Sequence, residues 1–226
     1  MDSINTAWIA LSLLRHLGGK TFDRLLERFG TADAVLQADA TDLRQVKGVG
    51  AKIAAAIQAI NLDTTDRRIA RWQQQGVQII PRDHPLYPAR LRTLDDYPPT
   101  LFVRGVFQPI TWGETVAIVG TRHPAPQTHS IALSLAARLA GQGYTVVSGL
   151  AFGVDAAAHQ GALSIRNGQT LAVLGGSVLK PYPPQHRNLA AQLQERGCLL
   201  SEQSPDASVN APRLVARNRI ISGLAH

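Results

Sequence analysis

The residues best equipped for chemistry lie in three glycine-bearing turns in the second half of the chain: Gly120-Thr121-Arg122, Ser148-Gly149-Leu150-Ala151-Phe152-Gly153 and Gly175-Gly176-Ser177. Each follows an apolar run of strand length. Glycine lets a backbone approach a ligand closely, and the free N–H groups that open a following helix attract an anion. With Arg122 and Ser148 among them, the turns point to a phosphorylated ligand. Any one of them could serve tight strand-to-helix geometry alone, so the anion reading rests on all three occurring together.

Other chemistries fit less well. The dinucleotide pattern G-x-G-x-x-G is absent, because Gly120 is followed by Thr121, Arg122 and His123, which disfavours a nicotinamide enzyme. Gly19-Lys20-Thr21 repeats the last letters of a P-loop. Leu14 stands where that motif needs its first glycine, however, and the segment lies between helices, so it reads as a connecting turn. Asp155 and His159 share a helix face at i and i+4, a spacing that can hold a metal. No third ligand is evident, and Asp155 more simply caps that helix or accepts backbone N–H bonds from the glycine turn. Ser148, Asp155 and His159 are too closely spaced to form a nucleophile–base–orienter chain. Cys198 sits in an apolar strand and reads as core. No catalytic residue, metal or cofactor is therefore expected.

Two further segments carry cations. Leu43-x-x-Val46-Lys47-Gly48-Val49-Gly50-x-Lys52-x-Ala54-x-x-Ile57 describes two short helices joined by a Gly-x-Gly hairpin. This spacing is similar to a helix-hairpin-helix motif, which grips nucleic-acid backbone without reading sequence. Lys47, Gly48, Gly50 and Lys52 are thus a possible secondary DNA contact; the same motif also occurs purely as a packing unit. At the far end, Arg217-Asn218-Arg219 precedes the apolar run Ile220-Ile221. On one helix the two arginines would point roughly 200° apart, so both face a ligand only if they straddle a helix start.

The elements that must position these residues follow from periodicity. Residues 3–60 carry apolar positions three and four apart, as in Phe22, Leu25, Leu26 and Phe29, and read as short helices. A more polar helix over 63–75, capped by Asp63 or Thr64, ends at Gly76 before a strand at 77–80, and a further strand spans 100–104. From Thr115 onwards, apolar runs at 116–119, 145–147, 171–174 and 199–200 alternate with helices at 127–142, 155–166 and 185–196. Nearly continuous apolar strands between helices predict a parallel sheet covered on both faces. The expected class is α/β, a Rossmann-like doubly wound, mainly parallel sheet (residues 63–226) behind a small all-helical domain (residues 1–62). In such sheets ligands bind at the carboxyl ends of the strands.

Composition bounds the rest. The chain has 226 residues, 45% of them hydrophobic and 17% charged, enough for a packed core. No uncharged stretch approaches the roughly 20 apolar residues of a membrane helix. An acidic start, Met1-Asp2-Ser3, does not look like a secretory leader. One cysteine excludes an internal disulfide, and the cytoplasm is the expected location. Of 23 basic residues all but Lys20, Lys47, Lys52 and Lys180 are arginine, and the net charge is +7. Arginine's planar fork suits phosphate and stacks on bases, which makes nucleic acid a reasonable partner.

Taken in order, these pieces resemble the bacterial DNA-processing protein A family, also called Smf. The resemblance runs from the hairpin through Asp83-x-Pro85-x-Tyr87-Pro88, Pro98-Pro99-x-Leu101, Val119-Gly120-Thr121-Arg122, Ser148-Gly149-x-Ala151-x-Gly153-x-Asp155-x-x-x-His159, Gly175-Gly176, Tyr182-Pro183 and Arg217-Asn218-Arg219-Ile220-Ile221-Ser222-Gly223-Leu224. It implies a helical domain of sterile-alpha-motif type and a positive pocket that binds single-stranded DNA. The implied role is in natural transformation, protecting incoming DNA and loading the RecA recombinase, with a homodimer as the working form. On this resemblance Arg122 holds a phosphate, Lys180 lies near a basic position of the pocket, and Arg217, Asn218 and Arg219 form the closing motif, with Arg213 in the loop before them. Gly120, Thr121, Ser148, Gly149, Gly153, Gly175 and Gly176 complete the expected DNA-contacting set.

Two departures are visible. Val215 replaces a proline usual two residues before the Arg-Asn-Arg triplet, and the chain stops at His226, where family members continue through further strands. The sheet is therefore expected to be incomplete and self-association weakened. Two alternatives stay open. One is a nucleotide phosphoribohydrolase on a similar fold, although Gly175-Gly176-Ser177-Val178 lacks that group's preceding proline and following glutamate. The other is a truncated, inactive remnant.

Overall fold

The computed structural model describes residues 4–108 and 114–226. Six helices come first: α1 (Thr6–Ser12), α2 (Gly19–Phe29), α3 (Ala32–Gln37), α4 (Ala40–Arg44), α5 (Ala51–Gln58) and α6 (Leu62–Gln74). Side-chain caps at Asn5, Thr31, Asp39 and Asn61 open four of them, and a glycine closes α2. Thr31 and Asp39 accept hydrogen bonds from Ala34 N and Asp42 N, and Gly30 ends α2 at φ 83°. The N-cap of α6 is Asn61, whose Oδ1 accepts from Thr64 N at 2.8 Å; neither Asp63 nor Thr64 fills that role. Asparagine competes well there because its side-chain oxygen reaches the third N–H. Phe22, Leu25, Leu43, Val46, Val49 and Ile57 form the shared core of α2 to α5.

Among the described residues the sheet has six strands: β1 (Gln78–Pro81), β2 (Thr100–Gly105), β3 (Thr115–Ala117), β4 (Thr145–Ser148), β5 (Thr170–Val173) and β6 (Cys198–Ser201), ordered β1-β2-β6-β5-β4-β3. The β3, β4, β5 and β6 ladders are parallel, as the alternating apolar runs predict. The pairs β1–β2 and β2–β6 are antiparallel, so the proline-rich segment extends the sheet in the opposite sense. Successive strand residues go to opposite cores: Phe102, Ala172 and Leu199 to one face, Leu101, Leu171, Val173 and Leu200 to the other.

The connecting helices are α7 (Pro126–Gly141), α8 (Val154–Leu163), α9 (Arg187–Arg196), α10 (Ala211–Ala216) and α11 (Asn218–Leu224). α8 buries a run of small residues, Ala156, Ala157, Ala158 and Ala162. This lets α7 come so close that a Cβ on Gly161 would overlap the Leu133 carbonyl. Ile9 of α1 joins Trp72 of α6 and Phe102 of β2 in one cluster, and Trp8 Nε1 donates to Pro99 O at 3.1 Å. The outer edge of β3 is met by the last residue, since His226 N donates to Thr115 O at 2.8 Å. Among the described residues no helix is long and apolar enough to cross a membrane.

Candidate nucleic-acid interface

Because β3, β4 and β5 are parallel neighbours, the three glycine turns that follow them lie along one sheet edge. The first two touch. Val154 N donates to Thr121 O at 3.1 Å, a Cβ on Gly120 would stand 2.8 Å from the Val154 side chain, and one on Gly153 would overlap Thr121 O. Gly153 has φ 77°, where any side chain would be strained. Glycine is required at both positions for one turn to seat on the other.

The first turn is the open one. Gly120, Thr121 and Arg122 are exposed, and no hydrogen bond or ion pair among the described residues engages the Arg122 guanidinium. Four residues on begins α7, which has Pro126 in its first turn, no side-chain cap and no acidic residue there. Its free N–H groups and positive dipole end therefore stand beside an uncommitted arginine.

The second turn is closed from behind. Ser148 Oγ donates to Ile118 O at 2.6 Å, and Asp155 Oδ2 accepts from Gly149 N at 3.1 Å and Ala151 N at 3.4 Å. The amides that glycine spacing alone would offer to a ligand are held by Asp155, because a buried carboxylate needs N–H donors. Asp155 is also paired with Arg217, Nη2 lying 3.7 Å from Oδ2.

Arg217 is 5% exposed. Its Nη1 donates to Gly149 O at 2.6 Å and to Val173 O, and its Nε donates to Asn218 Oδ1 at 3.0 Å. One guanidinium thus clamps the ends of β4 and β5 from the junction of α10 and α11. Burial holds its pKa below the ordinary arginine value, against the opposing pull of Asp155 and assisted by the nearby Arg122 charge. A Cβ on Gly149 would overlap this guanidinium, which is why glycine stands there. Arg219 diverges from it, giving Glu202 a bidentate pair at 2.9 and 2.6 Å and donating to Asp96 O at 2.8 Å. The two arginines do straddle the start of α11, the condition for both to face one ligand, but both forks are occupied by the protein.

The third turn lies under a roof. Gly175 and Gly176 are buried, and added Cβ atoms would meet Arg213 O at 2.9 Å and Val209 Cβ at 3.2 Å. Arg213 itself donates to Ser208 O. Lys180, three residues beyond Ser177, is exposed with its amine unengaged among the described residues. In the helical part, Lys47, Gly48, Gly50 and Lys52 are all exposed at the α4–α5 hairpin, and Gly48 has φ 100°.

His159 is fully buried, with Nδ1 2.7 Å from Thr170 Oγ1 and Nε2 unpartnered among the described residues. Thr170 donates its own proton to Val146 O at 2.8 Å, so Nδ1 carries the histidine proton. Burial, then the charges of Arg217 and His186, push this imidazole down to about 3. A folded-state value below the unfolded ~6.5 means that unfolding takes up a proton below neutrality. Stability is complete above pH 6.5 and declines as pH falls towards 3. We expect the denaturant midpoint to drop between pH 7 and pH 5, and to drop less in His159→Gln; identical pH profiles would contradict it.

Comparison with known proteins places the chain. Residues 78–226 match the family model for DNA recombination-mediator protein A, and residues 7–69 match the helix-hairpin-helix motif. Protein Smf of Synechocystis is 34% identical over 99% of this chain and 57% of its own length. Protein Smf of Escherichia coli is 32% identical over 96% of this chain, again 57% of its own length. The chain thus spans a little over half of these relatives. The fold matches DNA processing protein A of Streptococcus pneumoniae with a TM-score of 0.81 at 24% identity, covering 99% of this chain and 76% of that one. DNA processing protein A of Helicobacter pylori, solved for its single-stranded DNA binding mode, matches with a TM-score of 0.60 at 29% identity over 66% of each chain. By its matched segment and its relatives, the chain belongs to the DNA recombination-mediator protein A family.

Proposed function

We propose that this protein binds single-stranded DNA at the Arg122 turn and acts as a recombination mediator in natural transformation, shielding incoming strands and delivering them to a RecA-type recombinase. One observation carries the reading: an exposed, unengaged Arg122 beside the uncapped start of α7, at the carboxyl edge of a parallel sheet. Family membership and the DNA-binding relative from Helicobacter pylori support it. Lys180 is the second phosphate ligand in this proposal, and Lys47 with Lys52 a secondary contact. Arg217 serves as a positioning residue that holds Gly149 and Val173, and Arg219 ties α11 to Glu202 and Asp96. A binding role without catalysis is favoured because the groups able to act as nucleophile or base, Ser148, Asp155 and His159, are buried and spent on the protein's own backbone and side chains.

A turn at a sheet edge admits a flexible strand and a few bases but not a stacked duplex. We expect fluorescent oligothymidine to bind well ahead of duplex of equal length. Affinity should fall steeply with salt, each neutralised phosphate of a single strand contributing a slope of about 0.7. Equal affinity for duplex at physiological salt, or no response to salt, would overturn the proposal.

A further inference from the structure

Beyond the glycine turns, a groove of about 880 Å³ opens between α9, the end of β2 and the loop that follows Ser177. Three cations line it: Arg104 of β2, Lys180 of the loop and Arg187 at the first position of α9. None of the three side chains makes a hydrogen bond or ion pair among the described residues. That separates them from several other arginines of the sheet domain and of α6. Arg71 is held by Asp206 at 2.6 Å, Arg196 by Ile165 O at 2.7 Å and Arg219 by Glu202 at 2.6 Å. Among the described residues no acidic side chain lines this groove. The adjoining depression, about 590 Å³, shares Arg104, Leu179 and Lys180 with it, and its one carboxylate, Asp206, is neutralised by Arg68 and Arg71.

The placement of Arg187 is unfavourable for folding alone. A cation at the positive end of a helix is destabilising, and α9 has neither a side-chain cap nor an acid in its first turn. An anion seated in the groove would reverse that balance.

The groove is joined to the Arg122 turn by exposed aromatic side chains. Phe152 of the second glycine turn is 38% exposed and Tyr182 is 46% exposed. The loop carrying Tyr182 is fixed to that turn, since His186 packs edge-on against Phe152 at 4.8 Å and its Nδ1 lies 2.9 Å from Leu150 O. Arg122, the two rings and the three groove cations therefore combine charge with aromatic faces, as do proteins that hold single strands through phosphate and base face together.

We infer that a single strand held at Arg122 continues over Phe152 and Tyr182 into the groove, where Arg104 and Arg187 receive its phosphates. The inference rests on the binding proposed above and names a second stretch of the same ligand. The test is a length series. An oligothymidine of about 4 nucleotides and one of about 20 bracket the usual footprint of single-strand grooves. Arg104→Ala/Arg187→Ala should bind the long oligomer about tenfold more weakly, with a salt slope lower by roughly 1.4, and the short one as the wild type does. Arg187 is exposed and Arg104 half-buried, and neither side chain has a hydrogen-bond or ion-pair partner among the described residues, so the melting temperature should not fall.

Unchanged binding of both oligomers by the double variant, while Arg122→Ala weakens both, would overturn the groove and leave the Arg122 proposal standing. Loss of affinity by the double variant alone, with Arg122→Ala silent, would overturn the continuous path. If instead polyglutamate binds the wild type and not the double variant, while the long oligomer binds both alike, the groove takes an acidic peptide and the inference fails.

Discussion

Arg217→Ala is expected to destabilise the protein by about 3–5 kcal/mol, the effect of removing one partner from a buried ion pair, and to lower the melting temperature by roughly 10 °C. The variant would leave the Asp155 carboxylate without its cation and withdraw donors from Gly149 O and Val173 O. Arg217→Lys should recover only part, because a single ammonium cannot reach both carbonyls while keeping the pair. The same clamp predicts a coupling. Gly149→Ala in the wild type drives a methyl group into the guanidinium and should be destabilising by about 1–3 kcal/mol, as overpacking is. In the Arg217→Ala background that clash has no partner, so the second substitution should add little. Chemical denaturation of the four proteins measures the interaction energy. Additive losses would show that Arg217 does not fill the space above Gly149.

Arg122→Ala is expected to do the opposite: leave stability alone and damage binding. An exposed arginine without partners supports little packing, so the unfolding midpoint should stay within about 0.5 kcal/mol of wild type. Loss of its charge-assisted hydrogen bonds to a phosphate should weaken oligothymidine binding by about 1.5–3 kcal/mol, roughly 10- to 150-fold. Arg122→Lys should restore the charge but not the fork, and so recover part of the affinity. Wild-type affinity in both variants would remove the phosphate from this turn and return its glycines to a purely geometric role. Arg217 and Arg122 thus separate stability from binding along a single sheet edge.

The parallel core of the sheet, its helices to within a few residues, and the edge on which the glycine turns fall are all legible in the order of residues. Strand and helix periods are local, and the order of apolar runs leaves few ways to cover both faces. The sequence also offered Asp155 as a helix cap or a backbone acceptor, of which the structure shows the second, and marked Cys198 as core, since each reading follows from neighbours a few residues away. Local spacing did not separate Arg122 from Arg217. Both arginines follow or precede small polar residues beside an apolar run, yet one is exposed and the other buried. What divides them is the approach of α10 and α11, 68 residues along the chain from Gly149, and that approach is a matter of tertiary packing. The same segment roofs Gly175 and Gly176 with residues 209–214, closing a turn that looks as open as the first when read alone. The tertiary structure likewise decided the groove, because Arg104 and Arg187 meet only once β2 has joined β6 antiparallel and α9 has crossed beside them. Side chains distant in sequence acquire a common partner only when the sheet order brings their strand ends together.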